Sequence, residues 1–243
     1  MRLDIYLTTH GLANSRTRAQ SLIGQARVRV DGKPALKSSL DVPPEALVTV
    51  IPSESEEFVG RGGIKLASAL EQFGLDPTGR VCADIGASTG GFTECLLRRG
   101  AAKVYAIDSG TGQLVNALRE DARVVSLEGT NARYIDETTL GERVELAVMD
   151  VSFISQKLLY PALCAITQPN ADIVTLIKPQ FEAGRAALGK NGVVKEERTR
   201  LAVVEDITYT AAQYGLIRQN LMLSPIKGGS GNVEYLIHLR RSK

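Results

Sequence analysis

The stretch that decides the fold is Val81-Cys82-Ala83-Asp84-Ile85-Gly86-Ala87-Ser88-Thr89-Gly90-Gly91-Phe92. A short apolar run ends in an aspartate, a loop of small residues follows, and an amphipathic segment begins at Phe92. This order predicts a buried strand, a tight turn and a helix start, the first unit of a doubly wound α/β sheet. Because glycines let such a loop approach a ligand closely, the stretch predicts a binding loop.

Apolar runs recur along the rest of the chain. They cover residues 103–107, 122–127, 144–149 and 172–177, with helical segments between most of them. Strands that alternate with helices predict a mostly parallel sheet covered on both faces. Two further strands are predicted near the C-terminus, and the loop between them is too short for a crossover helix. The last strand should therefore run antiparallel to its predecessor.

The glycine spacing of the loop narrows the choice of ligand. Ser88 stands where the dinucleotide fingerprint needs its second glycine, and Phe92 stands where a phosphate-binding loop needs lysine. Asp108 ends the next apolar run about 20 residues on, which suits contact with ribose hydroxyls. These features favour S-adenosylmethionine over NAD, and hence a methyltransferase over an oxidoreductase. The predicted cofactor-binding residues are Asp84, Gly86, Ala87, Ser88, Thr89, Gly90 and Asp108.

Charged residues follow several of the predicted strands. Asp84, Asp108 and Asp150 lie at or near strand ends, Lys178 follows another strand, and Glu234 begins the antiparallel one. The carboxyl ends of parallel strands meet at one edge of a sheet, and an antiparallel strand starts on that same edge. We therefore expect four acids and a lysine on one rim.

Composition bounds the class of protein. The chain has 243 residues, of which 44% are hydrophobic and 23% charged, and a net charge of +2, as is ordinary for a globular protein. Its three cysteines and two histidines lack metal-ligand spacing, so no metal site is predicted. We see neither an apolar signal-peptide core nor a run of the ~18 apolar residues that span a bilayer. The expectation is a cytoplasmic protein without membrane contact.

The excess positive charge is concentrated in residues 1–52. This block carries seven Lys/Arg against four Asp/Glu, and its pattern predicts two short helices and a small sheet. The clustered charge favours RNA or another polyanion as partner over a merely solvated face. Residues 53–59 are predicted as a linker and 60–243 as a second domain. The predicted RNA-binding residues are Arg2, Arg16, Arg18, Arg27, Arg29 and Lys33.

Several motifs resemble those of known families. The segment RLDIYL…GLANSRTRAQSLIGQARVRVDGK resembles the small α+β RNA-binding domain of ribosomal protein S4. VGRGGIKL, DIGASTGGFTECLLRRGA, MDVSFIS, LIKPQFEAGR and SPIKGGSGNVEYL resemble the TlyA family, whose members are called hemolysins in many genomes but are ribosomal RNA 2′-O-methyltransferases. The resemblance covers essentially the whole chain and implies a Rossmann-like methyltransferase behind an RNA-binding domain.

The resemblance extends to the wider FtsJ-like fold, in which a Lys-Asp-Lys-Glu set serves 2′-O-methylation. On this chain the set falls on Lys65, Asp150, Lys178 and Glu234, and the TNAR motif implies Asn131 as a further cofactor contact. Lys65 follows from the resemblance alone, because periodicity by itself predicts a lysine on the helix surface. The resemblance also implies S-adenosylmethionine as cofactor and a cytidine of ribosomal RNA as target, with the large ribosomal subunit favoured.

The implied reaction needs no metal, because its leaving group is neutral. The ribose 2′-hydroxyl must lose its proton as it attacks the sulfonium methyl group, and Lys178 is the candidate general base, assisted by Lys65 and oriented by Asp150 and Glu234. Alternatively, the lysines stay charged and stabilise the developing alkoxide.

Two rival functions are a non-enzymatic RNA-binding or ribosome-assembly factor and a lytic hemolysin. The intact Lys-Asp-Lys-Glu set disfavours the first, and the lack of a membrane-length segment disfavours the second.

Overall fold

A computed structural model of the protein describes residues 1–13, 16–24, 26–51 and 58–242, without the side chains of Arg18 and Ser21. The chain divides into two compact units, residues 1–57 and 58–243. Of the predicted linker, residues 53–57 lie outside the described residues. Its last two residues belong to the second unit, where Phe58 packs against the apolar core and the Val59 N–H donates to Glu94 Oε2 at 2.5 Å.

The described residues of the first unit form two helices and a three-stranded antiparallel sheet. The elements are α1 (Leu3–Thr9), α2 (Arg16–Gly24), β1 (Val28–Val30), β2 (Lys33–Pro34) and β3 (Val48–Val50), with strand order β2-β1-β3. Asp31 and Gly32 both have positive φ, which fits the tight turn from β1 to β2. The core is built from apolar side chains of both helices and the sheet, including Leu3, Leu7, Leu22, Ile23 and Val28.

The second unit is a seven-stranded sheet between two layers of helices. Its strands are β4 (Val81–Ile85), β5 (Lys103–Asp108), β6 (Val124–Glu128), β7 (Val144–Met149), β8 (Thr167–Ile177), β9 (Leu216–Leu223) and β10 (Tyr235–Arg241). Its helices are α3 (Gly62–Phe73), α4 (Gly91–Arg98), α5 (Asn116–Arg119), α6 (Glu137–Leu140), α7 (Tyr160–Ile166), α8 (Pro179–Glu182) and α9 (Glu197–Gln213).

The strand order is β6-β5-β4-β7-β8-β10-β9. The first five strands of this order pair in parallel, and β10 is antiparallel to both of its neighbours. The predicted antiparallel return of the last strand is confirmed. The structure adds that β10 inserts between β8 and β9, so that Tyr235 pairs with Ile177 at the end of β8. Glu234 therefore reaches the edge on which Lys178 lies.

Both faces of the sheet are covered by apolar side chains. Along β7, Leu146 and Val148 belong to one cluster with α3 and α4, whereas Ala147 and Met149 belong to the other cluster with α7 and α9. This alternation follows from the two-residue period of a strand, and it explains why the parallel strands appear in the sequence as unbroken apolar runs. Among the described residues, no helix is long and apolar enough to cross a membrane.

Candidate active site

The loop after β4 turns back against the end of β7. Gly86 has φ +85°, and a Cβ atom there would lie 2.5 Å from the carbonyl oxygen of Asp150, so only glycine fits. The N–H groups of Gly86 and Ala87 donate to the Ile107 carbonyl at 2.8 and 3.1 Å, which ties the loop to β5. Held in this way, the loop lines an open cavity at the carboxyl edge of the sheet.

Asp108 holds this loop at the end of β5. One carboxylate oxygen accepts the Ser88 N–H at 2.8 Å, and the other accepts the Gly110 N–H at 2.7 Å. Asn131 lines the same cavity, and its side chain accepts the Arg133 N–H at 3.0 Å. These predicted cofactor contacts thus lie together at one end of the carboxyl edge.

Two predicted cofactor residues, Asp84 and Gly90, point away from the cavities. Asp84 is fully buried; its Oδ2 accepts the hydroxyl of Thr93 at 2.6 Å, and its Oδ1 has no hydrogen-bond partner among the described residues. Burial raises the pKa of Asp84 to about 7, while the Thr93 hydrogen bond opposes the shift and the charge of Asp150 adds to it. Gly90 is needed for packing, since a Cβ atom there would lie 2.3 Å from Leu118 Cδ1. Neither residue lines a described cavity of the site.

The Lys-Asp-Lys-Glu set forms two ion pairs. Lys65 Nζ lies 2.6 Å from Glu234 Oε2, and Lys178 Nζ lies 2.6 Å from Asp150 Oδ1. The first pair is buried, with side-chain exposures of 8% and 2%. The second pair is more accessible, with exposures of 13% and 20%. We call these four residues the rim cluster.

Two residues that the sequence reasoning missed support the rim cluster. Lys178 Nζ donates to Ser152 Oγ at 2.8 Å, and Gln180 Nε2 donates to Glu234 Oε1 at 3.2 Å. Both residues lie in the motifs that contain Asp150 and Lys178, DVSFIS and KPQFE. Their position directly after the strands that carry Asp150 and Lys178 was the available signal.

Three adjoining cavities that share lining residues lie along this edge, and we call them together the groove. The first is lined by Gly86, Thr89, Asp150 and Lys178, the second by Asp108, Asn131 and Asp150, and the third by Lys178, Gln180 and Glu234. Ser152 lines all three. The groove therefore runs from the predicted ribose contact, past the loop, to the rim cluster.

An aromatic pair, of which Phe153 is exposed and Phe181 half-buried, borders the groove at the rim cluster. Phe153 is 90% exposed and has φ +64°, a conformation that a bulky side chain rarely adopts. Its ring centroid lies 5.0 Å from that of Phe181, and Lys178 Nζ lies 6.0 Å from the Phe181 ring. The sequence placed these rings beside charged residues, but the strained backbone of Phe153 shows only in the structure.

The six predicted RNA-binding residues have different environments in the first unit. Arg2 and Arg16 both contact the buried carboxylate of Asp4, and Arg29 and Lys33 are exposed. Arg27 is 8% exposed, and its guanidinium donates to the Ile51 carbonyl at 2.6 and 2.9 Å. Its contacts therefore support the structure of the unit itself, and the surface contribution expected of Arg27 is not seen. The side chain of Arg18 lies outside the description.

The fold and the glycine loop define the class of protein. Solved S-adenosylmethionine-dependent methyltransferases share the fold with TM-scores of 0.53–0.56 at 13–15% identity, a likeness that concerns the fold alone. The family profile of FtsJ-like methyltransferases matches residues 58–241, and that of the S4 domain matches residues 1–48. The second unit is thus a methyltransferase domain.

Longer matches define the particular family. The 16S/23S rRNA (cytidine-2′-O)-methyltransferase TlyA of Mycobacterium tuberculosis is 47% identical over 239 residues, which cover 98% of this chain and 89% of that protein. The 23S rRNA (cytidine-2′-O)-methyltransferase TlyA of Campylobacter jejuni is 34% identical over an alignment of 258 positions, which covers 98% of this chain and 98% of that protein. The chain belongs to the TlyA family of FtsJ-like methyltransferases.

A solved structure agrees over the full length. A protein of Streptococcus thermophilus, provisionally assigned as a hemolysin, has a TM-score of 0.80 and 39% identity, covering 100% of this chain and 89% of that one. The match includes both units, so the pairing of a small N-terminal domain with a methyltransferase domain is a shared feature.

Proposed function

We propose that the protein transfers a methyl group from S-adenosylmethionine to the 2′-hydroxyl of a cytidine ribose in ribosomal RNA. The observation that carries the proposal is the single groove that joins the glycine loop to the rim cluster. A methyl donor held at one end and a ribose at the other would meet beside Lys178. The named activities of both TlyA relatives are in line with this reaction.

The proposed cofactor fits the residues at the loop end of the groove. Because Gly86 lacks a Cβ atom, the loop can pack against Asp150 and line the cavity, and the carboxylate of Asp108 can accept hydrogen bonds from ribose hydroxyls. Ala87, Ser88 and Thr89 complete the floor of the groove. When bound, S-adenosylmethionine supplies an electrophilic methyl group on a sulfonium that leaves as a neutral thioether.

The rim cluster would act on the ribose hydroxyl. Asp150 and Glu234 hold the two lysine amines through short ion pairs, and Lys178 is the amine that lines the groove. Lys178 either accepts the hydroxyl proton or stabilises the developing negative charge on the oxygen. In both roles the fixed position of Lys178 contributes to the rate, because a bound near-attack geometry can lower the activation barrier by about 7–11 kcal/mol.

The aromatic pair would receive the target base. RNA enzymes that act on one nucleotide splay it out and stack its base on aromatic side chains. Phe153 and Phe181 present such rings next to Lys178, and an exposed, strained phenylalanine is costly unless it binds something. The base would then hold its ribose over the amine.

The first unit would bind the surrounding RNA through phosphates. Arg2, Arg16, Arg29 and Lys33 are candidate contacts at the surface of that unit, in keeping with its match to the S4 domain. Such contacts position the RNA without reading its sequence. Since the Campylobacter jejuni relative is named for 23S rRNA, we propose the large ribosomal subunit of the cytoplasm as the substrate.

The decisive test compares the wild-type enzyme with Lys178→Ala on ribosomal subunits. We expect a 2′-O-methylated cytidine to be mapped with the wild type, and methyl transfer by Lys178→Ala to fall by about 10²–10⁴-fold. Calorimetry should show near-normal S-adenosylmethionine binding, because Lys178 lies at the acceptor end of the groove. Lys157→Ala is a matched control, because Lys157 also forms an ion pair but does not line the groove. Its Nζ lies 2.6 Å from Asp206 Oδ2. Wild-type turnover by Lys178→Ala would refute the assignment.

A further inference from the structure

The first unit contains a buried carboxylate surrounded by basic and amide groups. Asp4, in the first turn of α1, is fully buried. Arg2 contacts both of its oxygens at 3.1 Å, and Arg16 Nε and Gln20 Nε2 donate to Oδ2 at 2.9 and 3.1 Å. The hydrogen bond from Arg2 holds the pKa of Asp4 well below its usual range, although burial opposes the shift. The carboxyl group of Asp4 therefore remains ionised although it is buried.

The contacts bring two arginines together. Arg2 Nη2 and Arg16 Nε donate to the same oxygen, so these two nitrogens lie no more than about 6 Å apart. Two guanidinium groups at this separation repel one another unless an anion lies between them. Asp4 supplies that anion from the inside, while the side chains of Arg2 and Arg16 remain 47% and 56% exposed.

We propose that Asp4 is a positioning residue that holds Arg2 and Arg16 side by side as one phosphate-binding site for RNA. The proposal rests on the proposed function, because it assumes that this unit binds ribosomal RNA. A phosphate accepts charge-assisted hydrogen bonds from paired guanidinium groups with defined geometry. Arginines fixed in advance lose less side-chain entropy on binding than free ones.

For the substitution Asp4→Asn, the proposed positioning role and the change in net charge predict opposite effects on RNA binding. Asp4→Asn removes a negative charge from a basic unit, so electrostatics alone predicts tighter RNA binding. Positioning predicts weaker binding, because the neutral amide no longer holds two cations. We expect the dissociation constant for unmodified 23S rRNA, transcribed in vitro, to rise by about three- to tenfold, the equivalent of one hydrogen bond. Unchanged or tighter binding would overturn the proposal.

A mutant cycle separates positioning from damage to the fold. In the Arg2→Ala/Arg16→Ala background, Asp4→Asn should not weaken binding further, because the groups through which Asp4 acts are gone. If Asp4→Asn weakened the residual binding of that double variant as strongly as it weakens the wild type, the substitution would be acting through general unfolding and the proposal would fail.

Two further variants complete the experiment. Glu45→Gln removes one exposed negative charge from the same unit, and the described residues form no hydrogen bond or ion pair with Glu45, so binding should not weaken. Asp4→Glu keeps the charge but moves the carboxylate by one methylene, so it should weaken binding partly. Wild-type binding by Asp4→Glu would overturn the proposal. If Arg2→Ala/Arg16→Ala itself bound normally, the RNA-binding role of this surface would fail instead.

Discussion

Two clusters of ionisable side chains lie at different places on the seven-stranded sheet. The rim cluster lies at the carboxyl edge. The second cluster, which we call the histidine cluster, spans β8, β10 and the residue before β4, and it comprises Arg80, Asp172 and His238. His238 Nε2 lies 3.0 Å from one oxygen of Asp172, and Arg80 Nη1 lies 2.9 Å from the other.

The two clusters differ in whether their side chains are accessible to a ligand in the groove. Both oxygens of Asp172 are occupied by groups of the protein, and none of the described groove cavities is lined by the histidine cluster. In the rim cluster, Asp150, Lys178 and Glu234 each line the groove. A buried ion pair adds little net stability, since desolvation offsets its attraction. The ion pairs of the rim cluster, which border the groove, are therefore better explained by a role in binding or catalysis than by a contribution to stability.

The largest expected effect comes from breaking the buried pair of the rim cluster. Glu234→Ala leaves the Lys65 ammonium buried without its anion, so we expect a loss of about 3–5 kcal/mol in the free energy of unfolding and no methyl transfer. Urea unfolding and a methylation assay measure the two effects.

A double variant separates stability from function at this pair. Lys65→Met/Glu234→Leu replaces both charges by apolar groups of similar volume and should recover most of the stability while remaining inactive. If the double variant transferred methyl groups, the pair would be structural, like the histidine cluster.

A smaller effect is expected in the histidine cluster. Burial raises the pKa of the Asp172 carboxyl, but hydrogen bonds from His238 and Arg80 outweigh it, and the net pKa is lowered. Asp172→Asn removes the anion from both partners, and we expect a loss of about 2 kcal/mol in stability. The methylation rate per folded molecule should change less than twofold. A rate loss without a stability loss would contradict the distinction between the clusters.

The smallest effect concerns Asp84, which lies at the carboxyl edge but beneath the loop. Its pKa of about 7 lies above the ordinary value of 3.8, so between these pH values the folded state binds more protons than the unfolded state. Stability should therefore fall as pH rises through this window and level off above it.

Replacing Asp84 removes this pH dependence. The stability of Asp84→Asn relative to the wild type should increase from pH 5 to pH 8, as measured by urea unfolding, because only the wild type has a carboxyl group that must ionise while buried. Asp121→Asn is a control, because the hydrogen bond from Arg123 lowers the pKa of Asp121 to about 2 and its effect should be constant from pH 5 to 8. A pH-independent difference for Asp84→Asn would show that the carboxyl is ionised throughout.

Much of the methyltransferase domain follows from local pattern. The apolar runs form the strands because the inner ones are buried on both faces, and Asp108, Asp150 and Lys178 meet because parallel strands end on one edge. By contrast, Lys65 looks like a helix-surface lysine, since its partner Glu234 lies 169 positions away. Likewise, the sequence predicts Arg27 to be a surface charge, whereas in the structure it is buried and donates to the Ile51 carbonyl.

By itself, the sequence determined the order of the elements, the ligand-binding loop and the rim on which the charged residues lie, because these depend on residue period and chain direction. Only the tertiary structure decided which charges are exposed and which are paired. It buried Asp4 beneath two arginines, closed the Lys65–Glu234 pair and placed Asp84 behind the loop it was expected to line. The physical reason is that solvation and partner geometry depend on residues far apart in the chain, which no local pattern records.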